Sequence, residues 1–102
     1  GRDPKQAGFP LRMAEIISQI DGAVYVERVT VSSPADIRKA KKAIEHAFEI
    51  QEKKLGFAFV EILSTCPTNW GLTPTDSIKW LRENMIPYYP VKKFKDVEEV
   101  EK

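Results

Sequence analysis

The spacing of apolar positions changes several times along the chain, and each change marks an element. Leu11, Ala14, Ile17 and Ile20 fall on one helical face behind Pro10, whose missing N–H is no loss in a first helical turn. Asp21-Gly22 closes that helix, with glycine free to take a left-handed cap. Ala23 to Val31 is rich in Val and Tyr and predicts a strand. Ser33-Pro34-Ala35-Asp36 is a helix start: Ser33 caps, Pro34 takes the first helical position, and Asp36 faces the positive end of the dipole. The helix runs to about Lys54, with Ile37, Ala40, Ile44, Ala47 and Phe48 as its stripe and Gly56 as its stop. Phe57 to Leu63 is nearly all apolar, as a strand covered on both faces should be. After the loop 64–72, Thr73-Pro74-Thr75-Asp76 repeats the helix-start pattern. This third helix turns Ile78, Leu81 and Met85 inward and stops before Pro87. Residues 92–102 are dominated by Lys, Glu and Asp and are expected to form an exposed tail.

Two strands joined through a helix make a βαβ unit, with parallel strands and a right-handed crossover. The expected fold class is therefore α/β: a βαβ piece of a parallel, helix-covered sheet. The expected division is an α/β portion over residues 1–90 and a charged tail over 91–102. Two parallel strands do not make a stable sheet alone. The apolar strand 57–63 looks central, and a central strand needs partners on both sides. The chain thus reads as a piece of a larger sheet or part of a tight oligomer. A third strand at 88–94 is the alternative.

Composition narrows the function classes. With 42% hydrophobic residues among 102, the chain can build a core. Sixteen basic against fifteen acidic residues leave a net charge of +1, which gives no cationic face for nucleic acid. The apolar runs are too short to span a bilayer, and Gly1-Arg2-Asp3-Pro4-Lys5 has no signal-peptide character. The single cysteine excludes an internal disulfide and fits a reducing, cytoplasmic compartment.

Cys66 is the main chemical candidate. It follows the carboxyl end of a buried strand, the rim where open α/β sheets gather their ligands. Pro67, Thr68, Asn69 and Gly71 make the polar loop around it. The bland alternative is an inert thiol in the core, the common fate of free cysteine. A thiol redox role lacks a resolving cysteine and a nearby cation. His46 lies off the stripe of its helix and reads as a partly exposed surface residue. Glu27 and Glu61 interrupt strands as candidate buried acids, with Arg28 as a pairing base. Trp70 and Trp80 read as packing residues, and Tyr88-Tyr89 between prolines as an extended segment that docks on a neighbour. No Gly-rich phosphate loop or paired-carboxylate signature is present.

The stretch Gly56-Phe57-Ala58-Phe59-Val60-Glu61-Ile62-Leu63-Ser64-Thr65-Cys66-Pro67-Thr68-Asn69-Trp70-Gly71 resembles a signature of β subunits in the 2-oxoacid:ferredoxin oxidoreductase family. Ala23 to Val29, the lysine-rich run Lys39 to Ile44, and Met85-Ile86-Pro87-Tyr88-Tyr89-Pro90 resemble the same subunits, so the likeness covers roughly residues 2–95. It implies the C-terminal part of a thiamine-diphosphate-binding fold. Such enzymes oxidatively decarboxylate a 2-oxo acid to an acyl-coenzyme A and pass electrons through [4Fe–4S] centres to ferredoxin. The motif form leans towards branched-chain or 2-oxoglutarate enzymes, with pyruvate also read by the family. The resemblance implies that Cys66 completes a cluster in the whole subunit. It also implies other oxidoreductase subunits, ferredoxin and coenzyme A as partners, and an oligomer. The family's Gly-Asp-Gly followed by Asn, which holds the diphosphate and Mg2+, is absent here, as are its Cys-x-x-Cys and further cysteine. The 102 residues alone are therefore expected to bind neither cluster nor thiamine diphosphate and to be inactive. The competing expectation is a non-catalytic α/β interaction or oligomerisation module.

Overall fold

The computed structural model describes residues 11–65 and 73–97. Its elements are α1 (Met13–Ile17), β1 (Ala23–Thr30), α2 (Pro34–Glu52), β2 (Phe57–Leu63), α3 (Pro74–Trp80), a π-helical turn (Leu81–Met85) that continues α3, and β3 (Lys92–Lys95). Among the described residues the sheet has three strands in the order β2-β1-β3. β1 runs parallel to β2 and antiparallel to β3. The βαβ unit is present as expected, but the sheet is mixed rather than wholly parallel.

β1, not β2, is the central strand. Seven of its eight residues are buried, whereas only Leu63 of β2 is. The second neighbour of β1 is supplied by residues expected to lie in the charged tail. Lys93 Nζ pairs with Asp96 Oδ2 at 3.0 Å and Lys95 Nζ donates to the Ile20 carbonyl at 3.1 Å, while Phe94 packs beneath the sheet. A short, lysine-rich strand is a normal sheet edge.

Alternation along β1 separates two cores. Tyr25 and Val29 join Val24 and meet Ala40, Ala43 and Ile50 of α2 on one face. Val26 joins Ala23 and meets Ala14 of α1, with Ile17, Phe59 and Phe94 around them. The α1 helix is shorter than its spacing predicted. Leu11 and Ile20 stay exposed, and Arg12 at the N-cap provides no side-chain cap.

The ends of α2 follow its sequence closely. The Asp36 N–H donates to Ser33 Oγ at 3.1 Å, as predicted for the cap. At the other end the Lys54 N–H donates to the Gln51 carbonyl and the Leu55 N–H to the Ile50 carbonyl, both at 3.1 Å. This pattern requires a left-handed residue, and Lys54 takes it with φ 55°. Gly56 then lies at φ 149°, close against Val24 and the Gly22 carbonyl. The buried stripe of α2 is Ala40, Ala43 and Ile50. Ile37, Ile44 and Phe48, expected inside, are exposed at 40%, 37% and 66%. They lie on the flank of α2 that this sheet does not cover.

Leu81 is buried in the α3 segment and Ile78 and Met85 are half-buried, in agreement with the predicted inward face. Tyr88 and Tyr89 each meet an arginine of this chain. The Arg12 guanidinium sits 4.1 Å from the Tyr88 ring centroid and that of Arg28 lies 5.2 Å from the Tyr89 ring.

Candidate functional site at the carboxyl rim of the sheet

The parallel pair β1–β2 brings Thr30 and Leu63 to one rim of the sheet, as neighbours in register. Thr30 Oγ1 donates to the Leu63 carbonyl at 3.2 Å and the Val31 N–H donates to the same oxygen at 3.3 Å. These bonds close the ladder and fix where the chain leaves β2. Ser32 then leads into the capped start of α2, and its hydroxyl donates to Asp36 Oδ2 at 2.9 Å. Arg82 reaches the rim from the π-helical turn: its Nη2 donates to the Ser32 carbonyl at 2.9 Å and its Nε to Ser32 Oγ at 3.5 Å. Thus β1, β2, α2 and the α3 segment converge on the exit of β2. The arrangement is a pre-formed frame for the loop beyond Thr65. Cys66 and Trp70 themselves lie outside the described residues.

Two further polar groups sit on the faces of the sheet. Arg28 is fully buried on the α1 face. Its guanidinium donates to Glu15 at 2.5 and 3.0 Å, to Glu61 Oε2 at 3.0 and 3.1 Å, and to the Pro90 carbonyl at 3.3 Å. Burial works against its charge, but the two carboxylates more than offset that and raise its pKa. The hydrogen bond from Arg28 in turn holds the Glu15 carboxyl below its ordinary range. The predicted pairing of Glu61 with Arg28 is therefore present, with Glu15 as a second acid. With its donors shared among these acceptors, Arg28 acts as an internal clamp between α1, β1, β2 and the segment before β3.

Glu27 instead accepts a hydrogen bond from the Tyr25 hydroxyl on the α2 face. There a groove of about 430 Å³ is lined by Tyr25, Glu27, Lys39, Lys42, His46 and Asp96, among others. His46 Nε2 lies 2.9 Å from Asp96 Oδ1, and its ring meets Tyr25 edge-on at 4.6 Å between centroids. Lys93 Nζ lies 3.0 Å from Asp96 Oδ2. Desolvation and the adjacent Glu27 carboxylate push the Tyr25 hydroxyl well above its usual range, so it stays protonated and is no nucleophile. The His46–Asp96 pair was not foreseen from the sequence, since its members stand fifty positions apart. His46 is partly exposed, as expected, and its ring also links α2 to Asp96 just past β3.

Among the described residues no group of three or more His, Cys, Asp or Glu could hold a metal ion. The sequence has one cysteine, and a [4Fe–4S] cluster takes four ligands.

Comparison with known proteins locates the chain. It is 46% identical over 96 residues to the ketoisovalerate oxidoreductase subunit VorA of Methanothermobacter marburgensis, across 94% of this chain and 20% of that protein. It is 41% identical over 86 residues to the 2-oxoglutarate synthase subunit KorB of Methanocaldococcus jannaschii, across 78% of this chain and 28% of that one. This chain is a homologue of 2-oxoacid oxidoreductase subunits. It spans about a fifth of the VorA relatives' length. No protein-family profile and no solved structure matches it. Among the described residues no helix is long and apolar enough to cross a membrane.

Proposed function

We propose that this chain forms the C-terminal part of the thiamine-diphosphate-binding β subunit of a 2-oxoacid:ferredoxin oxidoreductase. The complete enzyme converts a 2-oxo acid and coenzyme A to an acyl-coenzyme A and carbon dioxide, with the electrons passing to ferredoxin. The observation that carries the reading is the 46% identity to a ketoisovalerate oxidoreductase subunit over nearly the whole chain. The motif Cys66-Pro67-Thr68-Asn69-Trp70-Gly71, directly after a strand of a helix-covered sheet, supports it. Likeness to a ketoisovalerate oxidoreductase subunit and a 2-oxoglutarate synthase subunit favours a branched-chain 2-oxo acid or 2-oxoglutarate over pyruvate.

In this reading Cys66 contributes one thiolate to a [4Fe–4S] centre whose other ligands lie in the rest of the enzyme. The carbon chemistry resides on groups held elsewhere. This segment supplies the rim: Arg82, Ser32 and Thr30 hold the exit of β2 in place and so position the loop that carries the thiol. The enzyme is cytoplasmic and works as an assembly with its other subunits.

The test is purification of the oxidoreductase subunit containing this sequence, together with its partners. The expected preparation reduces a viologen dye with 2-oxoisovalerate or 2-oxoglutarate in a coenzyme A-dependent manner. It also shows broad absorbance near ~400 nm, which Cys66→Ser weakens. A colourless assembly inert towards 2-oxo acids overturns the proposal. That outcome would favour a non-catalytic interaction module, the reading suggested by the exposed apolar flank of α2 and β2.

A further inference from the structure

The near-neutral total charge conceals a local segregation. Arg38, Lys39, Lys41 and Lys42 crowd the first half of α2, and all four are exposed. The acids of the helix after Asp36, namely Glu45, Glu49 and Glu52, fall in its second half. Among the described residues no carboxylate pairs with any of the four cations. Arg38 and Lys42 stand four apart and Lys39 and Lys42 three apart, spacings at which like charges on a helix repel. An anion brought to this surface would relieve that repulsion.

Two of these cations face a concave surface. Lys39 and Lys42 line the α2 side of the polar groove of about 430 Å³ that also holds Tyr25 and Glu27 of β1 and Asp96 just past β3. The other polar groups there are already engaged. Tyr25 is 1% exposed and its hydroxyl donates to Glu27 Oε1. Asp96 is held by His46 and by Lys93. Lys39 and Lys42 are the charges left over, and Glu27 keeps Oε2 as a spare acceptor. The groove therefore has a cationic helix wall and an acidic sheet wall. A lone phosphate would occupy a small part of its volume, which is in the range of small-molecule pockets. A ligand with a phosphate at one end and hydroxyls at the other suits both walls. Lysine N–H groups donate to phosphate oxygens, and a carboxylate accepts from a ribose hydroxyl.

We propose that this groove binds a ribonucleotide, its phosphate on Lys39 and Lys42 and a ribose hydroxyl on Glu27. Free ADP and the nucleotide end of coenzyme A share this chemistry. The proposal goes beyond the oxidoreductase reading, and only the second source depends on that reading.

The test is calorimetric titration of the purified assembly containing this sequence with ADP and, separately, with coenzyme A. Lys39→Glu with Lys42→Glu is compared with the parent and with Lys41→Glu, a charge reversal on the same helix outside the groove. ADP is expected to bind the parent and Lys41→Glu alike, and the double variant at least about tenfold more weakly, because two charge-assisted contacts are lost. If neither ADP nor coenzyme A binds the double variant more weakly than Lys41→Glu, the proposal is overturned. Poly-glutamate is titrated as well: its loss in the double variant, with both nucleotides unaffected, overturns the proposal in favour of an acidic protein surface. Should the charge reversals prevent assembly, Lys39→Gln with Lys42→Gln is read in the same way against Lys41→Gln. The KM for coenzyme A separates the two sources. A rise of about tenfold at unchanged kcat assigns the groove to coenzyme A, and an unchanged KM beside weakened ADP binding assigns it to the free nucleotide. Weakened ADP binding in an assembly inert to 2-oxo acids keeps the groove and removes the functional reading. Unweakened binding of both ligands in an active assembly does the reverse.

Discussion

Replacing Arg28 with Met tests what holds the α1 face of the sheet to its cover. The guanidinium is fully buried, while its partners Glu15 and Glu61 keep 31% and 22% of their side chains exposed. Met fills much of the volume but leaves two carboxylates facing each other without a cation. Removing one member of a buried pair costs about 3–5 kcal/mol. Because both acids can recover some water, the lower end applies, about 3 kcal/mol. In a domain of this size each kcal/mol moves the melting temperature by about 4–8 °C, so Arg28→Met should lower it by about 12–24 °C. Circular dichroism during heating and a urea titration both read this. The triple variant Arg28→Met, Glu15→Leu, Glu61→Leu removes the stranded charges as well and should recover most of the loss. A loss below about 1 kcal/mol for Arg28→Met, or a triple variant no better than the single one, refutes the clamp.

Glu15 titrates below its ordinary 4.5 in the folded chain, chiefly because Arg28 donates to it. The unfolded chain therefore binds more protons, and stability present above about pH 4.5 is lost as the pH falls through the folded value. Glu15→Gln should flatten that acid limb, measured as urea midpoints at about pH 3 and about pH 7. Gly56→Ala should destabilise by more than about 1 kcal/mol. Its Cβ would stand 2.7 Å from Val24 Cγ1 at a φ of 149°, and thermal melting reads the loss. Lys54→Gly should stabilise by up to about 1 kcal/mol, seen as a higher urea midpoint, because the left-handed position suits glycine.

What the sequence disclosed and what it hid divide along a physical line. The cap of Ser33, the stop at Gly56 and the inward face of Leu81 were legible because each depends on residues within a turn or two. The centrality of β1 was not. An apolar run such as Phe57 to Leu63 reports that both faces of a strand suit burial, but says nothing about whether its hydrogen-bonding edges are paired. The converse error left β3 as no more than the alternative strand at 88–94. Lys-Lys-Phe-Lys reads as solvent-loving tail, yet one phenylalanine under the sheet and an available edge on β1 suffice to make it a strand. Sequence distance hid His46–Asp96 and left Arg28 with one foreseen acid instead of two. The same distinction gives meaning to the exposed Ile44 and Phe48. Their helical spacing was read correctly as an apolar face, and the described sheet is too narrow to use it. Helical spacing reports which face of α2 suits burial, and the width of the sheet beneath it is set by strands far away in sequence.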